Sequence, residues 1–362
     1  MFDAGDVRAM QRALQLAALG LETTDPNPRV GCVLVRDGQI VGEGWHERAG
    51  EAHAEVLAIE AAGQSARGAT AYVTLEPCSH FGRTPPCTEA LIRAHVGRVV
   101  FATEDPNPEV HGAGASKLRA AGIVVEQGLC AQAAQALNAG FFKRMRTGLP
   151  LIRLKIAMSL DGRTALANGQ SQWISGEAAR ADVQRWRARS SAVLTGIGTI
   201  LADDPRLTVR MVPGASPIRI VLDARLRIPD HARVLDDDAV TTIVTTNASS
   251  AERRAELRRR GVAVVVVPAA PVGVDLPAAL EALFDDGVRS VLVEGGARVI
   301  TSFLSQGVAD RLVVAIAPRV MGSGTDAVND LGITEVASAI RLERRAVHVA
   351  GDDVLIVGDL AS

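Results

Sequence analysis

The sequence predicts an α/β protein built as two layered domains, and three observations lead there. At 362 residues the chain is about two domains long, taking roughly 150 residues for each. Segments with strand character alternate with segments of helical periodicity along its length. The alternation is interrupted at MRTGLPL (145–151), where a Gly and a Pro stand between structured regions. That break divides the chain into residues 1–147 and 148–362.

In the first part, Val7, Met10, Leu14, Ala18 and Leu21 recur at helical spacing, so 6–21 reads as an amphipathic opening helix. VGCVLV (30–35) and QIVGEGW (39–45) flank Asp37-Gly38, the turn chemistry of a tight hairpin. AEVLAIEAA (54–62) follows as a helix, ATAYVTLE (69–76) as a strand and TEALIRAHV (88–96) as a helix. RVVFATE (98–104), ASKLRAAG (115–122) and IVVEQG (123–128) continue as strand, helix and strand, which predicts a mainly parallel sheet beyond the hairpin. In the second part the strands are 151–160, 192–198, 217–224, 240–246, 262–268, 290–296 and 312–318, with helices at 176–190, 250–260, 276–285 and 297–306. VAVVVVP (262–268) and LVVAIAP (312–318) are unbroken apolar runs, as expected of strands covered on both faces. The basic AERRAELRRRG (251–261) reads as a solvated helix face. Asp25-Pro26-Asn27-Pro28 recurs as Asp105-Pro106-Asn107-Pro108, and turn formation accounts for both.

Composition narrows the function classes. The 39 basic and 41 acidic residues leave a net charge of −2, and aromatics are 3% of the chain, a poor match to a nucleic-acid-binding surface. No run of about 18 apolar residues predicts a membrane span, and the charged opening MFDAGDVRAMQRAL does not resemble a signal peptide. Four cysteines make a poor disulfide framework at this length. A soluble, cytoplasmic protein is the expectation.

Chemistry concentrates first around a cluster of metal-ligand types. His53 opens a helix, Cys78 follows a strand and Cys87 precedes another helix. One imidazole and two thiolates suit zinc, and three protein ligands leave a fourth position for water, whose pKa the metal lowers towards about 7. Glu55, two residues after His53, can reach that water without being a ligand and pass its proton to a departing amine. This is the pattern of zinc deaminases, except that eight residues rather than two separate the cysteines. A helix-start histidine beside two buried thiols is the bland alternative. The intervening SHFGRTPP (79–86) brings His80, Arg83 and Thr84, suited to an anionic group on a substrate, or simply to a polar loop. Cys32 and Cys130 read as packing residues, the latter within a small-residue helix. The second part has no G-x-G-x-x-G after its first strand, which argues against a Rossmann site. Gly196, Gly198, Gly295 and Gly296 are candidates for close backbone approach to a phosphate, the last two just before a helix N-terminus.

TTDPNPRVGCVLV (23–35), GWHERAGEAHAEV (44–56) and TLEPCSHFGRTPPC (74–87) resemble the N-terminal half of the bifunctional riboflavin-biosynthesis deaminase/reductase family, whose own cysteine spacing is this one. KIAMSLDGRTA (155–165), SQWIS (171–175), LADDPRLTVR (201–210) and VEGGARVI (293–300) resemble its reductase half. The resemblance implies a cytidine-deaminase-like three-layer domain followed by a dihydrofolate-reductase-like domain. It implies zinc on His53, Cys78 and Cys87, a proton shuttle at Glu55, and Asn27 against the pyrimidine ring. It further implies NADPH contacts at Ala157, Trp173, Thr199, Asp203 and the turn Gly296, Ala297, Arg298, Val299, Ile300, Thr301 and Ser302. Substrate contacts fall on Ser171, Arg187, Leu207, Arg210 and Glu294, the two arginines suiting a phosphate. Lys155 and Glu294 are the candidates for polarising or protonating the acceptor. Without the resemblance, Arg187 reads as an exposed helix residue, Trp173 as a core aromatic and Lys155 as a strand lysine paired to an acid. The reactions implied are hydrolytic deamination of a phosphoribosylaminopyrimidine and reduction of its ribose to a ribityl chain, in a homodimer. Two other readings remain: a zinc deaminase of another base or of RNA with a non-catalytic C-terminal clamp, and a nucleotide-sensing scaffold that has lost its chemistry.

Overall fold

The computed structural model describes residues 2–81, 85–107 and 111–361. The chain forms two compact units, Met1–Gly148 and Leu149–Ser362. In the first, α1 (Ala4–Ala18) leads into the hairpin β1 (Gly31–Arg36) and β2 (Gln39–Trp45), then α2 (Ala54–Ala62), β3 (Thr70–Val73) and α3 (Cys87–Arg93). β4 (Arg98–Phe101), α4 (Ala113–Ala120), β5 (Val124–Gln127), α5 (Ala131–Leu137) and α6 (Ala139–Thr147) complete it. The strands lie in the order β2-β1-β3-β4-β5, antiparallel through β3 and parallel beyond.

Both faces of this sheet are covered, as three layers require. Cys32, Leu34, Val73 and Phe101 face the helices carrying Ala58, Leu91 and Leu118, whereas Val33, Tyr72 and Val100 face Met10, Ala13 and Ala134. The hairpin turns on Asp37 (φ 51°) and Gly38 (φ 75°), the left-handed pair expected of a tight turn. Gly42 and Gly44 in β2 have no room for a Cβ because the backbone of α2 lies directly against them. That close approach fixes the start of α2, which carries His53 and Glu55.

Beneath α1, the Asp6 carboxylate accepts from Tyr72 Oη and Arg98 Nη1, each at 2.7 Å, while its other oxygen caps Asp3 N at 2.9 Å. The Arg98 hydrogen bond outweighs the opposing effect of burial, and Tyr72 assists, so the Asp6 carboxyl is pulled down to about 2. A carboxylate whose folded pKa is depressed stabilises above its ordinary pKa and loses that contribution as pH falls through the folded value. Asp6→Asn is therefore expected to cost about 2 kcal/mol near neutral pH. The difference from wild type in urea unfolding should shrink between pH about 4 and about 2; a gap independent of pH would refute the ionic account.

In the second unit, β6 (Leu151–Ser159), β7 (Arg163–Leu166), α7 (Glu177–Ala188), β8 (Ala192–Gly196), α8 (Ile197–Asp203), β9 (Ile218–Leu222), β10 (Thr241–Thr245), α9 (Ala251–Arg259) and β11 (Ala263–Val266) come first. α10 (Leu276–Asp285), β12 (Ser290–Val293), α11 (Ala297–Ser305), β13 (Arg311–Ala317), β14 (Gly324–Asp326), β15 (Leu342–Ala350) and β16 (Asp353–Leu360) follow. Nine strands run in the order β11-β10-β9-β8-β12-β6-β13-β16-β15, parallel from β11 to β13 and antiparallel at the far end. α10 and α11 cover one face through Leu280, Leu283, Ile300 and Phe303; Ile197, Ile200 and Leu257 pack on the other.

The structure departs from the sequence expectations in several places. LVVAIAP is an interior strand, but VAVVVVP forms the sheet edge, with Ala263 and Val266 exposed. An apolar run does not encode which position in the sheet it will take. The strand expected at 192–198 ends at Gly196, where α8 begins. The presumed linker MRTGLPL contains the last turn of α6, closed by Gly148 at φ 65°. Cys130 caps α5 in a left-handed conformation instead of lying within the helix.

Candidate active sites

In the first unit, His53 is the N-cap residue of α2 and Glu55 lies in its first turn, with only 3% of Glu55 exposed. Cys78 follows β3, and Cys87 is the first residue of α3, so its own N–H points at the Cys78 sulfur, 3.3 Å away. His53 Nδ1 is 3.1 Å from Cys87 Sγ and 3.6 Å from Cys78 Sγ, and all three ligand atoms lie within 4.8 Å of one another. The hydrogen bond from Cys87, with help from His53, holds the Cys78 thiol far below its ordinary range. The same pairing, and burial, push the Cys87 thiol up. One nitrogen and two sulfurs converging at this spacing fit zinc, and three such ligands would leave a fourth position for water. Burial raises the Glu55 carboxyl above its usual range, so this side chain can hold a proton nearer neutrality.

The cavity has a volume of about 450 Å³ and is lined by Asn27, His46, Glu55, His80, Asp105 and Asn107, among others. Leu75 and Phe141 supply an apolar wall. Both copies of the Asp-Pro-Asn-Pro string reach this one cavity. Asn107 N donates to Asp105 Oδ1 at 2.8 Å, and burial pushes the Asp105 carboxyl up to about 6 against that hydrogen bond. The buried Glu76 accepts from the backbone N–H groups of Gly112 and Ala115, each at 3.0 Å, and so anchors the start of α4. His80 lines the cavity, whereas Arg83 and Thr84 lie outside the described residues.

In the second unit, the register of β12 with β6 places Val293 opposite Leu154, so Glu294 emerges level with Lys155. Arg187, on α7, meets Glu294 with both arms of its fork, Nε to Oε1 at 2.5 Å and Nη2 to Oε2 at 3.0 Å. Its remaining nitrogen donates to the Thr208 carbonyl at 2.8 Å. Arg187 is 8% exposed, which rules out an exposed helix residue. Its fork is also already occupied, so bidentate capture of a phosphate by Arg187 is not what this arrangement offers. Arg210 stands exposed, its charge opposed by partial burial and by Arg187, Arg206 and Arg233, an electropositive neighbourhood suited to an anion. Lys155 Nζ lies 4.0 Å from Glu294 Oε2. Burial depresses the Lys155 ammonium against the pull of Glu294. Burial opposes charge on Glu294, but Arg187 and then Lys155 outweigh it, leaving its carboxyl below the usual range. Glu294 is thus held as the anion, which makes it a poor proton donor.

Trp173 is 61% exposed, with Arg180 stacked 4.6 Å above its ring, so it is not a core aromatic. Ser171 Oγ is 3.4 Å from Asp203 Oδ1 at the end of α8. Ala157 lies half-buried in β6. Leu207 is 2% exposed at φ 56°, leaving only its backbone for any ligand. Of the four candidate glycines, Gly196 and Gly295 are small because Val299 packs against them, 2.7 Å from where a Cβ would sit. A Cβ on Gly198 would meet nothing within 4 Å, and on Gly296 only the Thr199 hydroxyl at 3.6 Å. Thr199 Oγ1 accepts from Gly296 N at 3.2 Å, at the N-terminus of α11. A helix N-terminus next to glycines with open space beside them fits a phosphate-bearing cofactor. Within Gly296–Ser302 the side chains contribute little: Ala297 and Ile300 turn into the core, while Thr301 and Ser302 donate to helix carbonyls of Ala297 and Arg298.

A family model described as the cytidine and deoxycytidylate deaminase zinc-binding region matches residues 4–103, and one described as the RibD C-terminal domain matches 150–356. The riboflavin biosynthesis protein RibD of Escherichia coli is 46% identical, over 96% of this chain and 97% of its own. The chain belongs to the bifunctional riboflavin-biosynthesis deaminase/reductase family. Its fold is accordingly a deaminase-like unit followed by the family's reductase unit, and it is an enzyme of riboflavin biosynthesis with both activities. RibD of Aquifex aeolicus is 45% identical, over 97% of each chain. Among solved structures, Acinetobacter baumannii RibD superimposes with a TM-score of 0.88 at 43% identity, over 99% of both chains. A diaminohydroxyphosphoribosylaminopyrimidine deaminase/5-amino-6-(5-phosphoribosylamino)uracil reductase of Thermotoga maritima gives 0.85 at 34%, again over 99% of both. Among the described residues no helix is long and apolar enough to cross a membrane. Sequence reasoning missed His46, Asp105 and Asn107 in the deaminase cavity. The repeated Asp-Pro-Asn-Pro string was a signal for the last two, but turn chemistry explains such a string equally well.

Proposed function

We propose that the first unit deaminates a diaminopyrimidinone bearing a phosphoribosylamino group, and that the second reduces the ribosyl chain of the product with NADPH. The observation that carries the reading is the convergence of His53, Cys78 and Cys87 beside the buried Glu55, at the edge of a cavity of ring size. In this reading the three residues hold zinc, which when bound makes water acidic enough to supply hydroxide at neutral pH. Glu55 would take a proton from the attacking water and deliver it to the departing amine, which leaves as ammonia while the ring carbon keeps the oxygen. Asn27 sits against the ring, and His80 faces the phosphate end.

NADPH, when bound, supplies a hydride to the first carbon of the opened ribose. The first turn of α11 from Gly296, with Gly198, Thr199, Asp203, Ala157 and Trp173, forms its surroundings. Ser171, Arg210 and the backbone of Leu207 hold the substrate. Lys155 polarises the acceptor atom and gives it the proton, while Glu294 keeps Arg187 and Lys155 in place. We assign the functional boundary to 147/148 and expect a cytoplasmic homodimer.

The purified chain should carry about one equivalent of zinc, release ammonia from the diaminopyrimidinone, and oxidise NADPH only with the deaminated product. Stripping the metal with a strong chelator should abolish ammonia release while leaving NADPH oxidation on pre-deaminated substrate within about twofold. Loss of both activities together, or of neither, would contradict the division of labour.

A further inference from the structure

We propose that His46 is a positioning residue of the deaminase site. It sets the Asn27 amide so that the carbonyl oxygen faces the cavity and reads a hydrogen-bond donor, an amino group or ring N–H, on the pyrimidine. The proposal rests on the deaminase reading above.

The argument follows the protons. His46 comes directly after β2, is 3% exposed, and is tied by its backbone N–H to the Val30 carbonyl at 2.9 Å. Its Nδ1 lies 3.1 Å from the Ala52 carbonyl oxygen. A carbonyl can only accept, so Nδ1 carries the proton. An amide nitrogen can only donate, so the Nε2 that Asn27 Nδ2 approaches is the accepting lone pair of the ring. The Asn27 amide lies 3.1 Å from that Nε2, through Nδ2. The reverse orientation would set the amide oxygen against the ring's lone pair, so the tautomer written by Ala52 dictates the flip of Asn27. Asn27 is itself anchored by its N–H to the Thr24 carbonyl at 2.7 Å, and it lines the cavity. With the amino end committed to His46, the oxygen is the end left for a ligand. A pyrimidine edge offering a carbonyl or bare ring nitrogen there would meet a second acceptor, whereas an amino group or ring N–H would be satisfied.

His46 also packs edge-on against the His53 ring, at 5.3 Å between centroids, so the test must separate orientation of Asn27 from support of the metal ligand. His46→Gln keeps an acceptor within reach of Asn27 Nδ2; His46→Asn keeps a donor for the Ala52 carbonyl but loses that acceptor. In the full-length zinc-loaded enzyme, His46→Asn is expected to raise the deaminase KM about 10- to 100-fold with little change in kcat, as for loss of a contact made equally in ground and transition states. His46→Gln should recover most of that loss, both variants should keep about one equivalent of zinc, and in an Asn27→Ala background the two should become indistinguishable. Nitrogen-15 spectra of the substrate-free enzyme should show His46 protonated at Nδ1. Equal losses in the two variants, a loss in kcat that tracks zinc content, or an Nε2-protonated ring would each overturn the proposal. Failure of the wild type to release ammonia from the pyrimidine would remove the substrate reading and this proposal with it; an Nδ1 proton found alongside that result would locate the fault in the substrate.

Discussion

Glu55→Gln is expected to lower ammonia release by about 10²- to 10⁴-fold, the range over which a positioned acid–base group acts. The side chain keeps its shape and its place in the first turn of α2, but an amide can neither take up a proton from water nor return it to nitrogen. The proposed zinc ligands His53, Cys78 and Cys87 are untouched, so metal content should stay at the wild-type value. NADPH oxidation on pre-deaminated substrate should also be unchanged, because the RibD C-terminal domain forms the other unit. Burial is the reason the effect should be clean. Glu55 is 3% exposed, so bulk water has little access to substitute for the missing carboxylate. Ammonia release within about tenfold of wild type would remove Glu55 from the role.

Glu294→Ala is expected to be the most damaging change in the reductase unit. The carboxylate neutralises two buried cations at once, Arg187 through a two-armed pair and Lys155 at 4.0 Å. Removing it leaves a guanidinium that is 8% exposed and a lysine with a side chain 17% exposed facing each other without an anion. Breaking a buried pair by deleting one partner costs about 3–5 kcal/mol, which for a unit of this size lowers Tm by on the order of 10 °C. Relief should come partly from Lys155 giving up its proton, so the variant should lose NADPH oxidation even at temperatures where it remains folded. Glu294→Gln keeps the acceptor oxygen and the volume and should fall between the two. Calorimetry of the full chain with parallel assays checks this: a transition unmoved in Glu294→Ala would show that the pair contributes nothing to the fold.

Much of the deaminase site was legible because its parts are local in sequence. His53 and Glu55 are two residues apart at a helix start, and the two cysteines stand at the ends of one short insert. His46 and Asn27 were not legible as a pair. They lie nineteen residues apart on opposite sides of the β1–β2 hairpin, and nothing in either segment says that the imidazole lone pair will meet an amide. In the reductase unit, Arg187 and Glu294 were each nameable from motifs, but their pairing spans 107 positions and follows from β12 lying between β6 and β8. The sequence reading therefore assigned Arg187 to a phosphate that its occupied fork does not await. The glycines show the same limit: Gly196, Gly198, Gly295 and Gly296 look alike in sequence, and only the position of Val299 separates the two it packs against from the two with open space beside them.

By itself the chain determined many of its elements and the chemical types at its candidate metal cluster, because periodicity, turn residues and rare ligands act over a few neighbouring positions; the strands β7, β14, β15 and β16 were not among them. Tertiary structure alone decided which strand became an edge, which charges neutralise one another and which end of the Asn27 amide meets His46. Those outcomes depend on strand order and burial, which change the energy of a charge or hydrogen bond without altering any local signal.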